Sequence, residues 1–379
     1  MSAEPEKKAK INHDHFRDHF RQCKQLNVSD IDIEHFNKQS LESYQPKLQH
    51  ISQNHCAKKC LSFGLNPAKT WKVTTLAGVA GFYLIQNSFH NFSKWFWILR
   101  SLVDFTKFPI KSNLTAEAAL GSHRFPWQHY DPNFSKTKSS NEKKQPIERL
   151  RWTTLGYQYN WETKKYYAGH YIDFPDDLAS LCRFFVQSVG LDEDKQYNPE
   201  TAIVNFYPEG STLGIHCDNL EWDSTSPLVS ISLAHSAIFL LGDADRTREP
   251  IRLLLNSGDV VIMTDSCRQR FHAVPKIFTT DKMDKIDFER SKEDFLRNLN
   301  ETLCTCGEET QTSCKAVTKS LIFDRVDHFS TEDVIKAVEY IRTRRINLNV
   351  RQLKKLTDDV PLNCDEIDPR LNSVDGSSP

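Results

Sequence analysis

The sequence predicts an α+β protein built around a double-sheet jelly roll, also called a double-stranded β-helix, with helices flanking the core. Short apolar segments follow one another in quick succession between residues 202 and 274. Turn residues such as Pro208-Glu209-Gly210 and Asn256-Ser257-Gly258 separate them. The chain of 379 residues, 39% of them hydrophobic, can bury a sizeable core, either as one large domain with extensions or as two domains.

Residues 1–65 are predicted to form an N-terminal extension that is helical in part. The first ten residues are charged and small, which is typical of a disordered start. Phe16, Phe20, Cys23 and Leu26 then recur at helical intervals and predict an amphipathic helix. Its apolar face needs a partner, and docking on the rest of the same chain is favoured over docking on another protein.

A basic and aromatic segment precedes the central strands. Residues Trp71 to Ile85 predict strands, and Phe92 to Phe105 predicts an aromatic-rich helix. Between 132 and 170 a lysine-rich stretch runs into closely spaced aromatic side chains, which suits phosphate contact and base stacking. The aromatic residues are Trp152, Tyr157, Tyr159, Trp161, Tyr166 and Tyr167. A solvated loop is the alternative for the lysines, and a core position is favoured for Trp161.

The central block supplies the strands of the predicted double sheet. A fold of this kind has a deep mouth in which side chains from distant strands can meet at one metal ion. The predicted strands are Ala202 to Tyr207, Leu213 to Cys217, Leu228 to Ala234, Ala237 to Leu241, Ile251 to Leu255, Asp259 to Met263 and Phe271 to Val274.

The C-terminal part ends in a strand that carries two arginines. Residues 278–319 are predicted to be a polar surface insertion, and a helix capped by Ser330 then leads to this strand. Because side chains alternate along a strand, its polar residues share one face: Arg345, Asn347, Asn349 and Arg351. Two inward arginines beside apolar neighbours need anions, and a dicarboxylate such as 2-oxoglutarate would meet both.

His216 and Asp218 lie two residues apart on a strand-like segment, and His272 follows the stretch from Ser257 to Ile262. Two histidines and one carboxylate on one face of an iron ion leave three coordination positions open. A non-haem Fe(II) oxygenase needs these positions for an oxo-acid and O₂. A loop residue and a turn residue without a metal would be the simpler explanation if the pair stood alone.

The order of the motifs resembles the AlkB family of Fe(II)/2-oxoglutarate nucleic-acid dioxygenases, and within it the AlkB homologue 1 group. The motifs are Asn205-Phe206-Tyr207, His216-Cys217-Asp218, Gly258-Asp259-Val260-Val261-Ile262, His272 and the strand from Arg345 to Arg351, with Leu150-Arg151-Trp152, the segment 156–161 and the segment 236–242 as group-specific additions. The likeness covers residues 66–357, the expected dioxygenase domain. Residues 358–379 are expected to be a disordered tail.

The resemblance implies roles for individual residues. His216, Asp218 and His272 would hold Fe(II), and Arg345 would bind the distal carboxylate of 2-oxoglutarate. Further contacts to this cosubstrate are expected from Asn205, Tyr207, Asn347 and Arg351, with Arg351 near the end bound to iron. The segment 132–170 would be a nucleotide-recognition lid. The substrate-side residues would be Trp152, Tyr157, Tyr159, Tyr166 and Arg246.

The expected activity is oxidation of methyl groups on nucleic-acid bases with Fe(II), 2-oxoglutarate and O₂. Demethylation of N-methylated adenine or cytosine in tRNA or DNA and oxidation of 5-methylcytosine in tRNA both fit, preferably on an unpaired or flipped base. Leu220 stands where the bacterial enzyme has a substrate-facing carboxylate, so that enzyme's repair specificity does not carry over. The alternatives are a 2-oxoglutarate-dependent protein hydroxylase or demethylase and a non-catalytic nucleic-acid-binding jelly-roll module.

Composition and net charge bear on the partners of the protein and on its cellular compartment. Net charge is −1, so nucleic-acid affinity must come from local patches, and no apolar run approaches the about 18 residues that span a bilayer. Scattered cysteines without secretory context indicate free thiols, and the cluster of Cys304, Cys306 and Cys314 lacks zinc-site spacing. We expect an intracellular monomer in the nucleus or the mitochondrion, with the cytoplasm as an alternative. His235 is expected to be a packed histidine.

Overall fold

A computed structural model describes residues 13–27, 41–43, 59–114, 126–134, 144–160, 165–191, 197–218, 221, 224–279, 288–304, 322, 325 and 328–353. The predicted tail at 358–379 lies outside these residues, as do Trp161, Leu220, Cys306 and Cys314. Within the described part, Cys23, Cys182, Cys217 and Cys267 are free thiols, as predicted. No described helix combines the length and apolar character needed to cross a membrane.

The described chain contains six α-helices and thirteen strands. The helices are α1 (His15–Gln25), α2 (Asn91–Leu99), α3 (Pro146–Arg149), α4 (Asp176–Ser188), α5 (Phe288–Cys304) and α6 (Thr331–Ile341). The strands are β1 (Leu41–Ser43), β2 (Lys72–Leu76), β3 (Val79–Gln86), β4 (Trp152–Asn160), β5 (Lys165–Tyr171), β6 (Thr201–Pro208), β7 (Leu213–His216), β8 (Leu228–Leu233), β9 (Ser236–Leu241), β10 (Ile251–Leu255), β11 (Val260–Met263), β12 (His272–Phe278) and β13 (Arg344–Arg351).

Two antiparallel sheets form the core. The large sheet has the order β1-β2-β3-β11-β8-β13-β6-β4-β5, and the small sheet has the order β10-β9-β12-β7. Their inner faces meet in one apolar layer, in which Phe82 and Leu84 of the large sheet pack with Leu241 and Leu253 of the small sheet. All seven strands predicted in the central block are present. The α+β jelly-roll prediction is therefore confirmed.

Helices cover the outer face of the large sheet. Trp95 and Leu99 of α2 and Phe185 of α4 join the cluster formed by the outward-facing residues of the central strands, such as Ile231 and Leu348. The sheet is thus buried on both sides, which explains why its strands read as nearly continuous apolar runs. The predicted helix from Phe92 to Phe105 continues beyond α2 as a π-helical turn at Arg100–Asp104.

The N-terminal helix α1 lies on the outer face of the small sheet. Its buried residues Phe16 and Cys23 pack against Ile238, Leu240 and Ala273. Asp14 caps the helix by accepting a hydrogen bond from the backbone N–H of Arg17. The prediction that this apolar face docks on the same chain is confirmed.

Two predicted boundaries need correction. Part of the insertion expected at 278–319 is the helix α5, whose Phe288 and Phe295 are buried and contact the Phe92 ring of α2. Polar residues dominate this helix, so its two apolar anchors were missed in the sequence. Strand β4 is paired with β6 in the large sheet, so residues 152–156 belong to the core rather than to a separate lid.

Candidate active site

Two strands of the small sheet bring the predicted metal ligands together. His216 ends β7, His272 begins β12, and the antiparallel register places them opposite each other. Their ring centroids are 4.2 Å apart. Asp218 follows β7, with its Oδ2 atom 3.5 Å from Nε2 of His272 and its Oδ1 atom 3.9 Å from Nε2 of His216. The three potential ligand atoms lie within 4.8 Å of one another, the size of a site for one ion.

Backbone carbonyls orient both imidazoles. Nδ1 of His216 is 2.8 Å from the carbonyl oxygen of Gly214, and Nδ1 of His272 is 3.2 Å from that of Arg270. A neutral ring that donates its Nδ1–H to these acceptors carries its free lone pair on Nε2. Both Nε2 atoms face Asp218, so each histidine offers the nitrogen that a metal ion would need.

The protonation states also suit a metal ion. Burial, together with the neighbouring His272, lowers the pKa of His216 from 6.5 to about 4, so its imidazole is neutral at pH 7. Burial alone would raise the pKa of Asp218, but the Arg351 guanidinium and the two histidines hold it well below its usual range. The buried Oδ2 atom of Asp218 accepts no hydrogen bond within the described part of the chain. The nitrogen atoms of two imidazoles and an ionised carboxylate oxygen therefore fit the ligand set of Fe(II).

Strand β13 shows the predicted alternation. Arg345, Asn347 and Arg351 are buried polar residues on one face, while Ile346 and Leu348 enter the apolar cluster on the other. Because β13 lies between β6 and β8, the polar face is flanked on both sides by the inner faces of neighbouring strands. The strand thus directs its polar residues into the jelly-roll mouth.

Arg345 is a buried cation that forms no ion pair within the described part of the chain. Its side chain donates from Nη2 to Oγ of Ser232 at 2.8 Å and lies over the Tyr207 ring. Among the described residues no carboxylate comes within 4.0 Å of the guanidinium, and its Nε has no hydrogen-bond partner. Burial lowers the pKa of Arg345 to about 10. The same pocket is lined by His272, so a dicarboxylate can approach Arg345 at one end and the metal site at the other.

Arg351 has a different environment. Its Nη2 donates to Oδ1 of Asp218 at 2.9 Å, and its Nη1 donates to Oε1 of Glu221 at 3.0 Å and lies 3.4 Å from the Tyr166 hydroxyl. It therefore sits at the metal end, as the resemblance implied, but its charge is already balanced by carboxylates. Glu221 was missed in the sequence. Its position between the apolar residues Leu220 and Trp222 is the one local hint in the sequence, and it belongs to no motif or period.

Asn205, Tyr207 and Asn347 lie on adjacent strands beside the arginines. In the register of β6 and β13, Asn205 is opposite Asn347 and Tyr207 is opposite Arg345. Asn347 donates from Nδ2 to Oγ of Ser230 and to the carbonyl oxygen of Ile231. Burial raises the pKa of Tyr207 to about 12, so its hydroxyl stays protonated and can donate a hydrogen bond. Tyr207 and Asn347 line the same pocket as Arg345 and His272, and a contact of these residues and Asn205 with an oxo-acid stays a prediction.

The predicted substrate-side aromatic residues separate into two groups. Tyr159 and Tyr166 pack ring against ring at 5.1 Å, and the Tyr166 hydroxyl donates to Oε1 of Glu221 at 3.3 Å. This pair lies beside the metal centre. Tyr157 instead contacts the exposed Tyr171 at 4.8 Å, farther along the hairpin. Half-buried Trp152 is opposite Asn205 in the register of β4 and β6.

Arg246 and His235 lie apart from these aromatic rings. The Arg246 guanidinium pairs with Asp14 at 3.3 Å and lies over the Phe271 ring. Arg246 thus contacts the residue that caps α1. Its contact with substrate stays a prediction. The buried His235 has its Nε2 atom 2.6 Å from the carbonyl oxygen of Ile341 at the end of α6. It is a packed histidine, as predicted, and not a metal ligand.

Comparison with known proteins places these features in a family. The model of the 2OG-Fe(II) oxygenase superfamily matches residues 103–351. A Mus musculus protein named nucleic acid dioxygenase ALKBH1 is 34% identical over 314 residues, which cover 83% of this chain and 74% of the mouse protein.

Two further relatives carry more specific names. An Arabidopsis thaliana protein named DNA N(6)-methyladenine demethylase ALKBH1A is 29% identical over 330 residues, covering 80% of this chain and 84% of that protein. A Schizosaccharomyces pombe protein named tRNA demethylase abh1 is 46% identical over 132 residues, covering 34% and 42% respectively. The chain belongs to the 2OG-Fe(II) oxygenase superfamily and, within it, to the AlkB homologue 1 group of the AlkB family.

Proposed function

We propose that this protein is an Fe(II)/2-oxoglutarate-dependent dioxygenase that removes methyl groups from N-methylated adenine or cytosine in tRNA or DNA. The observation that carries the proposal is one pocket that is lined both by His272 of the three-residue metal site and by Arg345, a buried arginine without an ion pair to any described carboxylate. The substrate class rests on the activities named for the relatives, which act on methylated DNA or on tRNA.

When bound, Fe(II) with O₂ and 2-oxoglutarate supplies oxidation of a methyl C–H bond, coupled to conversion of the oxo-acid to succinate and CO₂. His216, Asp218 and His272 would hold the ion. Arg345 would pair with the distal carboxylate of the oxo-acid, and its planar fork suits this role better than a lysine would. A hydroxylated N-methyl group collapses to formaldehyde and the bare base, whereas a hydroxylated C5-methyl group of cytosine is stable. Oxidation of 5-methylcytosine in tRNA is therefore the second outcome of the same site.

The aromatic residues supply the substrate-facing walls in this proposal. A target base must leave its stack to reach the ion, at a cost of a few kcal/mol that is smallest in unpaired regions. Tyr159 beside the metal centre and Trp152 on the adjacent strand are rings against which such a base can stack. We therefore expect unpaired or flipped bases as substrates. From the sequence we also expect a monomer in the nucleus or the mitochondrion, with the cytoplasm as an alternative.

The test is turnover of defined methylated oligonucleotides. Purified protein with Fe(II) and 2-oxoglutarate is incubated with single-stranded DNA or tRNA stem-loops that carry one N-methylated base, and mass spectrometry follows the base while formaldehyde is measured. We expect one formaldehyde per methyl group lost, and no product with His272→Ala. Succinate formed with methylated peptides and not with any oligonucleotide would favour a protein hydroxylase or demethylase. Nucleic-acid binding that is equal in wild type and His272→Ala, without turnover, would favour a non-catalytic module.

A further inference from the structure

Glu221 is a buried carboxylate held between two arginines. Its side chain is 1% exposed, with Oε2 at 2.5 Å from Nη2 of Arg268 and Oε1 at 3.0 Å from Nη1 of Arg351. Arg268, on the 3₁₀ turn Asp265–Gln269, is itself 0% exposed. A carboxylate this deep is kept only where its charge is compensated. No role in metal or oxo-acid binding accounts for it so far.

The contacts of Glu221 close a ring around Asp218. Arg268 donates from the same Nη2 to the backbone carbonyl oxygen of Asp218 at 3.0 Å, and Arg351 donates to the Asp218 carboxylate at 2.9 Å. Asp218 is therefore fixed twice, once through its main chain and once through its side chain. Glu221 is the group that joins the two arginines responsible.

The four charges of this ring balance within the protein interior. Arg268 and Arg351 are positive, and Asp218 and Glu221 are negative. Loss of Glu221 would remove the carboxylate that both guanidiniums contact. Each arginine would then be free to move toward solvent or toward other acceptors, and the metal-ligating carboxylate would lose its fixed orientation.

We propose that Glu221 is a positioning residue for the metal site, acting on Asp218 through Arg351 and Arg268. It contacts neither the ion nor the substrate base in this role. The Tyr166 hydroxyl, 3.3 Å from Oε1 of Glu221, links the β4–β5 hairpin to the same carboxylate. The proposal rests on the metal site alone and not on the identity of the methylated substrate.

The test measures Mn(II) affinity of the full-length protein without oxo-acid or nucleic acid. Outer-sphere partners of metal ligands typically change metal affinity by about 10–100-fold. We expect Glu221→Gln to weaken Mn(II) binding by about tenfold or more. The matched control is Asp177→Asn, because Asp177 is also a buried carboxylate held by two arginines, Arg100 and Arg325. We expect this control to leave Mn(II) affinity within twofold of wild type.

A second variant separates positioning from net charge. Loss of a buried negative charge lowers the affinity for a cation, and loss of a buried positive charge raises it. A pure charge effect therefore predicts weaker Mn(II) binding for Glu221→Gln and tighter Mn(II) binding for Arg268→Gln. Positioning predicts weaker binding for both. The d–d absorption of Co(II) bound to each variant reports whether the ligand geometry has changed, which a loss of global stability would not alter.

The outcomes are decisive in either direction. Weaker Mn(II) binding and an altered Co(II) spectrum in both folded variants, with Asp177→Asn unchanged, support the proposal. Wild-type affinity in Glu221→Gln, tighter binding in Arg268→Gln, or an equal loss in Asp177→Asn would overturn it. Because no substrate enters the assay, a failure of the demethylase proposal would leave this result intact.

Discussion

The guanidinium of Arg351 donates to the Oδ1 atom of Asp218 at 2.9 Å, so the last residue of β13 holds a metal ligand directly. On the same face of the same strand, Arg345 has a serine and a tyrosine ring as neighbours and no carboxylate within 4.0 Å among the described residues. Two arginines that look equivalent in the sequence therefore have different tasks. We expect Arg351 to stabilise the metal site and Arg345 to bind an incoming anion.

Replacing Arg345 should affect the cosubstrate selectively. A hydrogen bond to a charged group contributes about 1.5–3 kcal/mol, so Arg345→Gln should raise the Michaelis constant for 2-oxoglutarate by about 10–100-fold. Mn(II) affinity in the absence of oxo-acid should stay unchanged, because Arg345 does not contact the three ligands. Steady-state kinetics and Mn(II) titration measure the two quantities. A parallel loss of Mn(II) affinity would contradict the separation of roles.

Replacing Arg351 should weaken metal binding and lower the stability of the protein. Arg351→Gln leaves Asp218 and Glu221 as buried carboxylates without their shared cation, and breaking such a pair costs about 3–5 kcal/mol. We expect a lower melting temperature and weaker Mn(II) binding even without 2-oxoglutarate. Calorimetry and Mn(II) titration of the same samples provide the measurement. Wild-type Mn(II) affinity in this variant would show that the contact to Asp218 is dispensable.

The His216 ring should titrate far below an ordinary histidine in metal-free protein. Its pKa is lowered from 6.5 to about 4, mainly by burial. Since the unfolded chain binds this proton more tightly, the contribution of His216 to stability rises with pH between about 4 and 6.5 and is constant above. NMR titration of the His216 ring, assigned with His216→Gln, should give a midpoint near pH 4. A midpoint near 6.5 would mean that the site is open to water.

Asp259 should make the folded protein less stable as pH rises. Burial raises its pKa from 3.8 to about 6, although hydrogen bonds from the Asn256 backbone and Gln86 oppose the shift. The folded state therefore binds the proton more tightly, and stability falls between about pH 4 and 6 by on the order of 3 kcal/mol. At pH 7, Asp259→Asn should unfold at a higher denaturant concentration than wild type. At pH 4, the two proteins should unfold at the same denaturant concentration. A difference that is independent of pH would contradict this assignment.

The N-terminal helix should contribute directly to stability of the catalytic fold. Phe16 is fully buried against the small sheet, and its ring lies so close to Gly242 that an added Cβ would meet it at 2.5 Å. Phe16→Ala should lower the free energy of unfolding by about 3–5 kcal/mol, the usual cost of truncating a buried aromatic side chain. Phe20→Ala is the control, because Phe20 is only partly buried, and it should lower the free energy of unfolding by less. Equal, small effects in chemical denaturation would show that α1 is loosely attached.

The sequence was most informative where geometry follows from a simple period. The two-residue alternation of β13 predicted which side of the strand Arg345 and Asn347 occupy. A shift of the strand by one residue would exchange its polar and apolar faces. His216 and Asp218 could be identified for a similar reason, and His272 followed from the motif order. The jelly-roll class followed from closely spaced strands and turns.

Contacts between distant segments could not be predicted from the sequence. Glu221 has no periodic or motif signature, and its importance depends on Arg268 and Arg351, which reach it from another turn and another strand. The same holds for α5, where Phe288 and Phe295 are isolated among charged residues and only the neighbouring Phe92 shows what they contact. The masking of apolar anchors by polar neighbours is a general weakness of composition-based assignment.

The most direct test of the central claim is an anaerobic titration of the protein with Fe(II) and 2-oxoglutarate, followed by the charge-transfer absorption of oxo-acid chelated to Fe(II). Wild type should develop the band with one ion and one oxo-acid per chain. His272→Ala should show no band, and Arg345→Gln should need a much higher oxo-acid concentration. A band of wild-type strength and affinity in both variants would mean that the ion and the oxo-acid bind elsewhere, and the account of this site would be wrong.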